Sequence, residues 1–149
     1  MTFQVAEYAV GDVISSITAP ITLRRAGWYS IGLFSGASGE LKPTQMNIHT
    51  SREVALSQGL TGPIADGMHS TNWLSKLLAE KFGDHYIARG ALRTKYIKTT
   101  PLDVPITCKL EVTAVEETPE GVKYVMDAWT ENEEGVKLTV GAASVVVAK

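Results

Sequence analysis

The chain has 149 residues, of which 44% are hydrophobic and 20% charged, and its formal net charge is −2. These values predict one globular domain over residues 1–149 and exclude a strongly basic protein that binds nucleic acid or an anionic membrane. No apolar run approaches the roughly 20 residues of a membrane span, and the first residues lack a signal-peptide pattern, so we expect a cytoplasmic protein. The single cysteine, Cys108, excludes an internal disulfide.

The segment after Pro20 predicts a strand, a helix and a loop, in that order. "ITLRRAGW" is interpreted as a short strand. In "WYSIGLFSGASG" the residues Trp28, Ile31, Leu33 and Phe34 have the spacing of a short buried helix, which the small residues then end. The following "ELKPTQMN" is polar, contains a proline and predicts a loop.

The next segment predicts two helices with recognisable ends. Thr50 and Glu53 form a capping-box pattern for the first helix, and Gly59 ends it. Asp66 is positioned to cap the second and longer helix, which Gly83 ends. The apolar face of the longer helix comprises Met68, Trp73, Leu74, Leu77, Leu78 and Phe82.

Beyond Gly83 the hydrophobic period changes from that of a helix to that of a strand. "ITCKLEVTA" alternates, so one face carries Ile106, Cys108, Leu110, Val112 and Ala114. "ALRTKYIK", "GVKYVMDAWTE" and "VKLTVGAASVVVA" are also predicted strands, and the short links "ETPEG" and "ENEEG" join antiparallel neighbours. The chain is therefore predicted to be an α+β protein whose long helix packs on one face of an antiparallel sheet.

The segment "NIHTSREVALSQGLTGPIADGM" resembles the signature of MaoC-like (R)-specific enoyl-CoA hydratases and dehydratases. The matching residues are Ile48, His49, Ala55, Gly62, Pro63, Ile64, Ala65, Gly67 and Met68. The resemblance covers most of the chain and implies a single hotdog domain, in which an antiparallel sheet wraps around one long central helix. It also implies a homodimer or hotdog heteromer that acts, without a cofactor, on an acyl thioester of coenzyme A or of an acyl carrier protein.

Adding water across a double bond conjugated to a thioester requires a base, a proton for the α carbon and stabilisation of the thioester oxygen. The resemblance implies that His49 is the acid–base residue. It implies that the backbone N–H of Gly67, at the start of the long helix, is the oxyanion donor. Asn47, in the motif before the histidine, and Ser75, two turns into the helix, are expected to bind substrate.

The sequence departs from the family where that family has its catalytic aspartate, five residues before the histidine. Thr44 stands there; it cannot act as a base near neutral pH, although it remains a candidate for substrate binding. Glu40, in an "SGE" segment that resembles the family's "TGD", is the first candidate for the displaced carboxylate. Asp66, where the family has a histidine, is a second candidate near the substrate, and its alternative role is to cap the long helix.

The other histidines and the cations carry weaker signals. His69, on the long helix, and His85, in the loop after it, are interpreted as structural residues. No pair of histidines has zincin spacing, so no metal site is expected. The cations that are candidates for contacts with coenzyme A phosphates, or simply for the solvated surface, are Arg24, Arg25, Arg89, Arg93, Lys95 and Lys98.

Three functions remain open at the level of the sequence. The first is hydration of an enoyl thioester, or dehydration of a 3-hydroxyacyl thioester, by His49 with a displaced carboxylate. The second is a non-catalytic or half-catalytic subunit of a heteromeric acyl-thioester complex. The absence of aspartate at Thr44 favours this second function, whereas the retained His49, Gly67 and Ser75 disfavour it. The third is thioester hydrolysis, and the acyl group is not identified.

Overall fold

The computed structural model describes residues 5–40 and 46–148. Its helices are α1 (Leu23–Ser38), α2 (Arg52–Ser57), α3 (Met68–Phe82) and α4 (Asp84–Arg89). Its strands are β1 (Val13–Ile17), β2 (Ile64–Ala65), β3 (Gly90–Tyr96), β4 (Thr100–Pro101), β5 (Thr107–Thr118), β6 (Gly121–Glu131) and β7 (Lys137–Ala148). Within these residues no helix combines the length and the apolar character that a membrane span requires.

The main sheet has the strand order β1-β5-β6-β7-β3, and every neighbouring pair is antiparallel. Strands β5, β6 and β7 follow one another through short links, which confirms the predicted meander. A glycine with positive φ stands at each turn: Gly121, at the start of β6, has φ of +144°, and Gly135, in the link before β7, has φ of +74°, a conformation that side chains disfavour. The short strands β2 and β4 form a separate ladder that the sequence did not predict.

Helix α3 packs on one face of the main sheet. Its buried residues join alternate residues of the strands in one core cluster, which includes Leu74, Leu77, Leu78, Phe82, Cys108, Leu110, Val112, Met126 and Val145. Full burial of such side chains stabilises the fold by about 1.5–3 kcal/mol each. The strand alternation read from the sequence therefore sets which face meets the helix, and the α+β hotdog prediction is confirmed.

Helix α1 shows that the prediction for the segment after Pro20 was wrong. Instead of a strand there is a helix that begins at Leu23, because Thr22 accepts the N–H of Arg25 and caps it. The predicted helix is also longer and less buried than expected, since Trp28 is 68% exposed. Small residues at four-residue spacing, Ala26 and Ser30, form the buried face instead.

Two further local predictions were wrong. The cap of α2 is Ser51, which accepts the N–H of Val54, whereas the Thr50 hydroxyl accepts the N–H of Asn47 in the preceding turn. His85 lies in the short helix α4 rather than in a loop, and its Nδ1 accepts a backbone N–H from the end of β7 at 3.3 Å.

The predicted ends of the two helices around the signature are confirmed. Gly59 follows α2 with φ of +79°, and Gly83 follows α3 with φ of +54°. At the start of α3, Asp66 Oδ1 accepts the N–H of Met68 at 3.0 Å, as expected of a cap. Met68 itself is 41% exposed, so it does not belong to the buried face of the helix.

Candidate active site

The backbone around His49 is fixed by the side chain of Asn47. Asn47 Oδ1 accepts the N–H of His49 at 2.8 Å, and its Nδ2 donates to Ser30 Oγ on α1 at 2.9 Å. This asparagine side chain therefore ties the turn that carries the histidine to the buried face of α1. Its observed contacts position His49, and a direct contact with substrate stays a prediction.

The imidazole of His49 is held in one tautomer by the backbone. Its Nδ1 lies 2.9 Å from the carbonyl oxygen of Ile64. A carbonyl oxygen can only accept, so Nδ1 carries the proton and the Nε2 lone pair of the neutral ring is available. Nε2 lies 3.6 Å from Asp66 Oδ2, and the His49 and Asp66 side chains are 14% and 21% exposed. A base and a carboxylate thus share a largely desolvated position.

The two oxygens of Asp66 have different partners. Oδ1 accepts the N–H of Met68 and caps α3, while Oδ2 is directed at His49. The two roles left open by the sequence, a helix cap and a carboxylate near the substrate, are therefore compatible. Because the cap fixes the carboxylate, Oδ2 reaches the histidine without the entropy cost of ordering a long flexible side chain.

Gly67 immediately precedes α3 and is in close contact with an aromatic ring. Its φ of −57° is an ordinary helical value, so backbone freedom does not explain the glycine. A Cβ at this position would lie 2.8 Å from Cδ2 of Tyr96. The N–H groups of Met68, His69 and Ser70 already have acceptors within this turn. The Gly67 N–H has no acceptor among the described residues, so it can donate a hydrogen bond to a ligand oxygen.

Two pockets meet at His49. One has a volume of about 340 Å³ and is lined by residues that include His49, Gly67, Tyr96 and Lys98. The other has a volume of about 550 Å³, and its lining residues include Asn47, His49 and Val54. A ligand in the first pocket can contact the imidazole and the Gly67 backbone together.

The remaining predicted site residues lie elsewhere or outside the described residues. Glu40 is exposed just beyond the end of α1, where its backbone contacts the Ser38 hydroxyl. Thr44 lies outside the described residues. Ser75 Oγ lies 2.9 Å from the hydroxyl of Tyr86 on α4. Since Ser75 is about 12 Å along the helix from Gly67 at 1.5 Å per residue, the structure does not group it with His49. The catalytic and binding roles of these residues stay predictions.

The predicted cations are spread over the surface. Lys98 lines the pocket beside Gly67, and Arg25 lines a cleft on the other side of α3. Arg89 forms a long ion pair of 3.9 Å with Glu120. Within the described ranges no group of three or more histidine, cysteine or acidic side chains is arranged to hold a metal ion.

Sequence reasoning missed the surroundings of His69 and Tyr96. The His69 ring lies between Tyr29, at 4.0 Å between centroids, and Trp73, at 5.8 Å. Burial lowers the pKa of His69, and the charges of His49 and Arg25 act in the same direction, whereas Asp66 raises it. The four-residue spacing of His69 and Trp73 signals a shared helix face. No local pattern signals the contact of Tyr96 with Gly67, which joins distant parts of the chain.

The chain is similar to proteins whose names describe hydratases. A family model described as the MaoC like domain matches residues 11–133. The R-hydratase PhaJ1 from Pseudomonas aeruginosa has a TM-score of 0.66 at 20% identity, covering 96% of this chain and 84% of that one. The (R)-hydratase from A. caviae has a TM-score of 0.69 at 17% identity, covering 94% of this chain and 97% of that one.

One further neighbour is a chain of the ChsH1-ChsH2 complex from Mycobacterium tuberculosis, with a TM-score of 0.65 at 14% identity over 95% of this chain and 99% of that one. A comparison with curated protein sequences gives no match. The solved structures share the fold, and the family match spans His49, Asp66 and Gly67 as well as most of the sheet. The chain therefore belongs to the MaoC-like dehydratase family.

Proposed function

We propose that this protein hydrates an enoyl thioester, or dehydrates the corresponding 3-hydroxyacyl thioester, carried by coenzyme A or an acyl carrier protein. The observation that carries the proposal is the pairing of His49 Nε2 with Asp66 Oδ2 at 3.6 Å, beside the N–H of Gly67. Asp66 thus takes the part of the carboxylate that Thr44 cannot supply. The names of the two (R)-hydratases favour the (R)-3-hydroxyacyl form.

The geometry suits a water that donates one hydrogen bond to His49 Nε2 and one to Asp66 Oδ2. In hydration, the oxygen of that water bonds to C3 while His49 Nε2 takes one of its protons and Asp66 stabilises the imidazolium. The π electrons of the C2=C3 bond move toward the thioester carbonyl, whose oxygen accepts the Gly67 N–H. The imidazolium then returns the proton to C2, so water is added overall and His49 is neutral again. Dehydration reverses these steps.

Glu40 is the weaker candidate for the carboxylate. It follows the C-terminal end of α1 and is exposed, whereas Asp66 is four-fifths buried and faces the imidazole. An acid–base group works best when it is already within reach of the proton that it moves. The preference for Asp66 rests on this difference in placement.

The proposed assembly follows from the relatives. The hotdog relatives include a two-component complex, ChsH1-ChsH2, so this chain is proposed to act as a homodimer or with a second hotdog subunit. The paired His49 and Asp66 favour a catalytic subunit over a non-catalytic one, because a scaffold has no need to direct a carboxylate at a partly buried histidine. We further propose a cytoplasmic enzyme that needs no cofactor.

Hydration of crotonyl-CoA and longer enoyl-CoAs, followed as loss of the conjugated-enoyl absorbance, tests the proposal. We expect activity in the purified protein and a loss of about 10²–10⁴-fold in His49→Ala and in Asp66→Asn. Asp127→Asn is the matched control, since it removes an exposed carboxylate from the outer face of β6. A Glu40→Gln variant that loses activity while Asp66→Asn keeps it would reverse the assignment of the carboxylate. Release of free coenzyme A instead of hydration would indicate a thioesterase.

A further inference from the structure

Tyr96 is the residue of β3 that reaches the start of α3. It is the last residue of its strand and pairs with Thr139 of β7. The N–H groups of Ile97 and Lys98, which follow it, both donate to the carbonyl of Leu138. The backbone that carries the Tyr96 side chain is therefore fixed to the main sheet. The residue is 45% exposed, so its side chain is held by specific contacts rather than by general burial.

The ring of Tyr96 lies face-on against Gly67. A Cβ at Gly67 would lie 2.8, 2.9 and 2.9 Å from Cδ2, Cε2 and Cγ of the ring. Nearly equal distances to three consecutive ring atoms mean that this direction meets the flat face of the ring and not its edge. Glycine has more backbone freedom than any other residue, and helix ends fray. The ring occupies the space of the missing side chain, so it restricts the movement of Gly67.

The hydroxyl of Tyr96 is bound to the first turns of α3. It lies 2.8 Å from Thr71 Oγ1 and donates to Met68 Sδ at 3.1 Å. Thr71 Oγ1 also lies 2.8 Å from Thr94 Oγ1 of β3. Since each hydroxyl has one proton, a consistent arrangement has Thr94 donating to Thr71, Thr71 to Tyr96 and Tyr96 to Met68. One side chain thus contacts the start of α3 at Gly67, Met68 and Thr71.

The peptide groups on either side of the Gly67 N–H are also engaged. The carbonyl of Asp66 accepts the N–H of His69, and the carbonyl of Gly67 accepts the N–H of Ser70, each at 3.0 Å. Together with the ring of Tyr96, these bonds fix the direction in which the Gly67 N–H points. A donor that is fixed beforehand needs no reorganisation when negative charge develops on a ligand oxygen, and this is what makes such donors effective in catalysis.

Tyr96 and the acid–base pair reach the same pocket through different contacts. The pocket of about 340 Å³ is lined by His49, Gly67 and Tyr96 among others. His49 is held by the carbonyl of Ile64, and Asp66 by the N–H that it caps. Gly67 is held by the ring of Tyr96. Substitutions of Tyr96 can therefore disturb the oxyanion donor while the contacts that hold the acid–base pair are kept.

We propose that Tyr96 is a positioning residue, which keeps the Gly67 N–H directed at the thioester oxygen through its ring on Gly67 and its hydroxyl on Thr71. The inference rests on the proposed function, because it takes the Gly67 N–H as the oxyanion donor. A misplacement of about 1 Å can cost about 100-fold in rate. The donor acts most strongly on the charge of the transition state, so loss of its orientation lowers kcat and leaves KM nearly unchanged.

Hydration kinetics with crotonyl-CoA test the ring and the hydroxyl separately. Tyr96→Leu removes the flat ring, so we expect kcat to fall by about 10–100-fold while KM stays within about twofold. Tyr96→Phe keeps the ring on Gly67 and should recover most of this loss. Thr71→Val should lower kcat as much as Tyr96→Phe does, and the double variant no further, because the two residues share one hydrogen bond.

Tyr29→Phe is the matched control. It also removes a phenol hydroxyl that is bound to α3, one that accepts a hydrogen bond from Asn72 at 2.9 Å, but Tyr29 lies on α1 and does not line the pocket beside Gly67. We expect wild-type kcat and KM in this variant. A wild-type kcat in Tyr96→Leu, or a raised KM with kcat unchanged, would overturn the positioning role.

Infrared difference spectroscopy of bound butyryl-CoA, isotopically labelled at its thioester carbonyl, observes the oxyanion donor without any reaction. A hydrogen bond to the carbonyl oxygen lowers its stretching frequency. We expect this shift with the wild type and with Tyr29→Phe, and a smaller shift with a broader band with Tyr96→Leu.

The outcomes separate this inference from the proposed function. An undiminished shift with Tyr96→Leu, in a protein that hydrates crotonyl-CoA, would overturn the positioning role and leave the proposed function standing. No shift with the wild type, although butyryl-CoA binds, would overturn both. A shift that depends on Tyr96 in a protein that hydrates no enoyl thioester would support the positioning role and overturn the reaction.

Discussion

At the level of single atoms, Asp66 combines a structural and a chemical role in one carboxylate. Oδ1 caps α3 through the N–H of Met68, and Oδ2 faces His49 Nε2. An amide in place of the carboxylate keeps an oxygen that can accept the Met68 N–H, but it loses the negative charge. Alanine, whose side chain is a methyl group, provides neither the accepting oxygen nor the negative charge. Substitutions at this one position can therefore separate stability from catalysis.

We predict that Asp66→Asn changes the free energy of unfolding by no more than about 0.5 kcal/mol, an amount that reflects the lost charge at a helix N-terminus. Asp66→Ala should cost about 1 kcal/mol, because the cap is lost as well. Both variants should lose hydration to a similar degree. Urea unfolding measured beside enoyl-CoA hydration distinguishes these effects, and an Asp66→Asn variant that keeps wild-type activity would contradict the chemical role.

Gly67 is required by a neighbouring side chain rather than by its own backbone angles. A Cβ there would lie 2.8 Å from the Tyr96 ring, whose hydroxyl lies 2.8 Å from Thr71 Oγ1. We predict that Gly67→Ala displaces the ring, lowers stability by about 1–3 kcal/mol and lowers hydration. Tyr96→Ala removes the clash, so the double variant Gly67→Ala/Tyr96→Ala should be more stable than the sum of the two single changes predicts. Strictly additive losses in thermal unfolding would argue against this contact.

Among the elements, the β5–β6 ladder carries a charged cluster on the sheet face opposite α3. Lys109 Nζ lies 2.6 Å from Glu131 Oε1, and Trp129 Nε1 donates to Glu131 Oε2 at 2.7 Å. Lys137 of β7 lies over the Trp129 ring at 4.3 Å from its centroid. Trp129 lies outside the core formed with α3. The side chains of this cluster shield it from solvent instead, which explains why it is only 8% exposed.

The Lys109 hydrogen bond, followed by that of Trp129, holds the pKa of Glu131 below its usual 4.5 although burial opposes the shift. A carboxyl with a lowered folded-state pKa stabilises the protein above its unfolded pKa, and this contribution is lost as the pH falls through the folded value. We predict that Glu131→Gln costs about 1–2 kcal/mol near pH 7 and less below pH 4. Unfolding of Glu131→Gln and of the exposed control Glu133→Gln across this pH range checks the prediction.

How far the sequence predicts each element depends on whether its signal is local. Alternation identified β5, and the glycines identified the ends of α2 and α3, because those signals arise within a few residues. The start of α1 was missed because its buried face is made of Ala26 and Ser30, which carry little hydrophobic signal. Thr50 was preferred to Ser51 as the cap because Glu53, three residues later, completes a capping-box pattern, although both residues are good caps.

The candidate site was predictable only in part, because only some of its features have a local sequence signal. The signature identified His49, Gly67 and Asp66 as residues of one region, but it could not show which carboxylate reaches the imidazole. That pairing brings together residues 17 positions apart through the Ile64 carbonyl and the cap of α3. Glu40 stood closer to the family pattern in sequence, and only three-dimensional placement distinguishes it from Asp66.

For the whole molecule, the important property is that the proposed acid–base pair lies within one chain. His49 and Asp66 come from the same protomer, so an assembly of two copies would hold two independent pairs. A catalytic carboxylate from a partner chain would instead form each site across the interface. These two arrangements respond differently when two inactive variants are mixed.

We predict that mixing His49→Ala with Asp66→Asn subunits, after dissociation and reassociation, restores no hydration. In a mixed dimer one protomer lacks the base and the other lacks the carboxylate, so neither pair is complete. If the carboxylate acted across the interface, one of the two sites would combine an intact His49 with an intact Asp66, and substantial activity would return. Light scattering should first establish that the particle is a multiple of the 16.1 kDa chain, and native mass spectrometry of the mixture, which distinguishes the two variants by their subunit masses, controls for exchange. If the variant mixture regains hydration activity, the acid–base pair is formed between two subunits. If it regains none although exchange is proven, the pair lies within a single subunit.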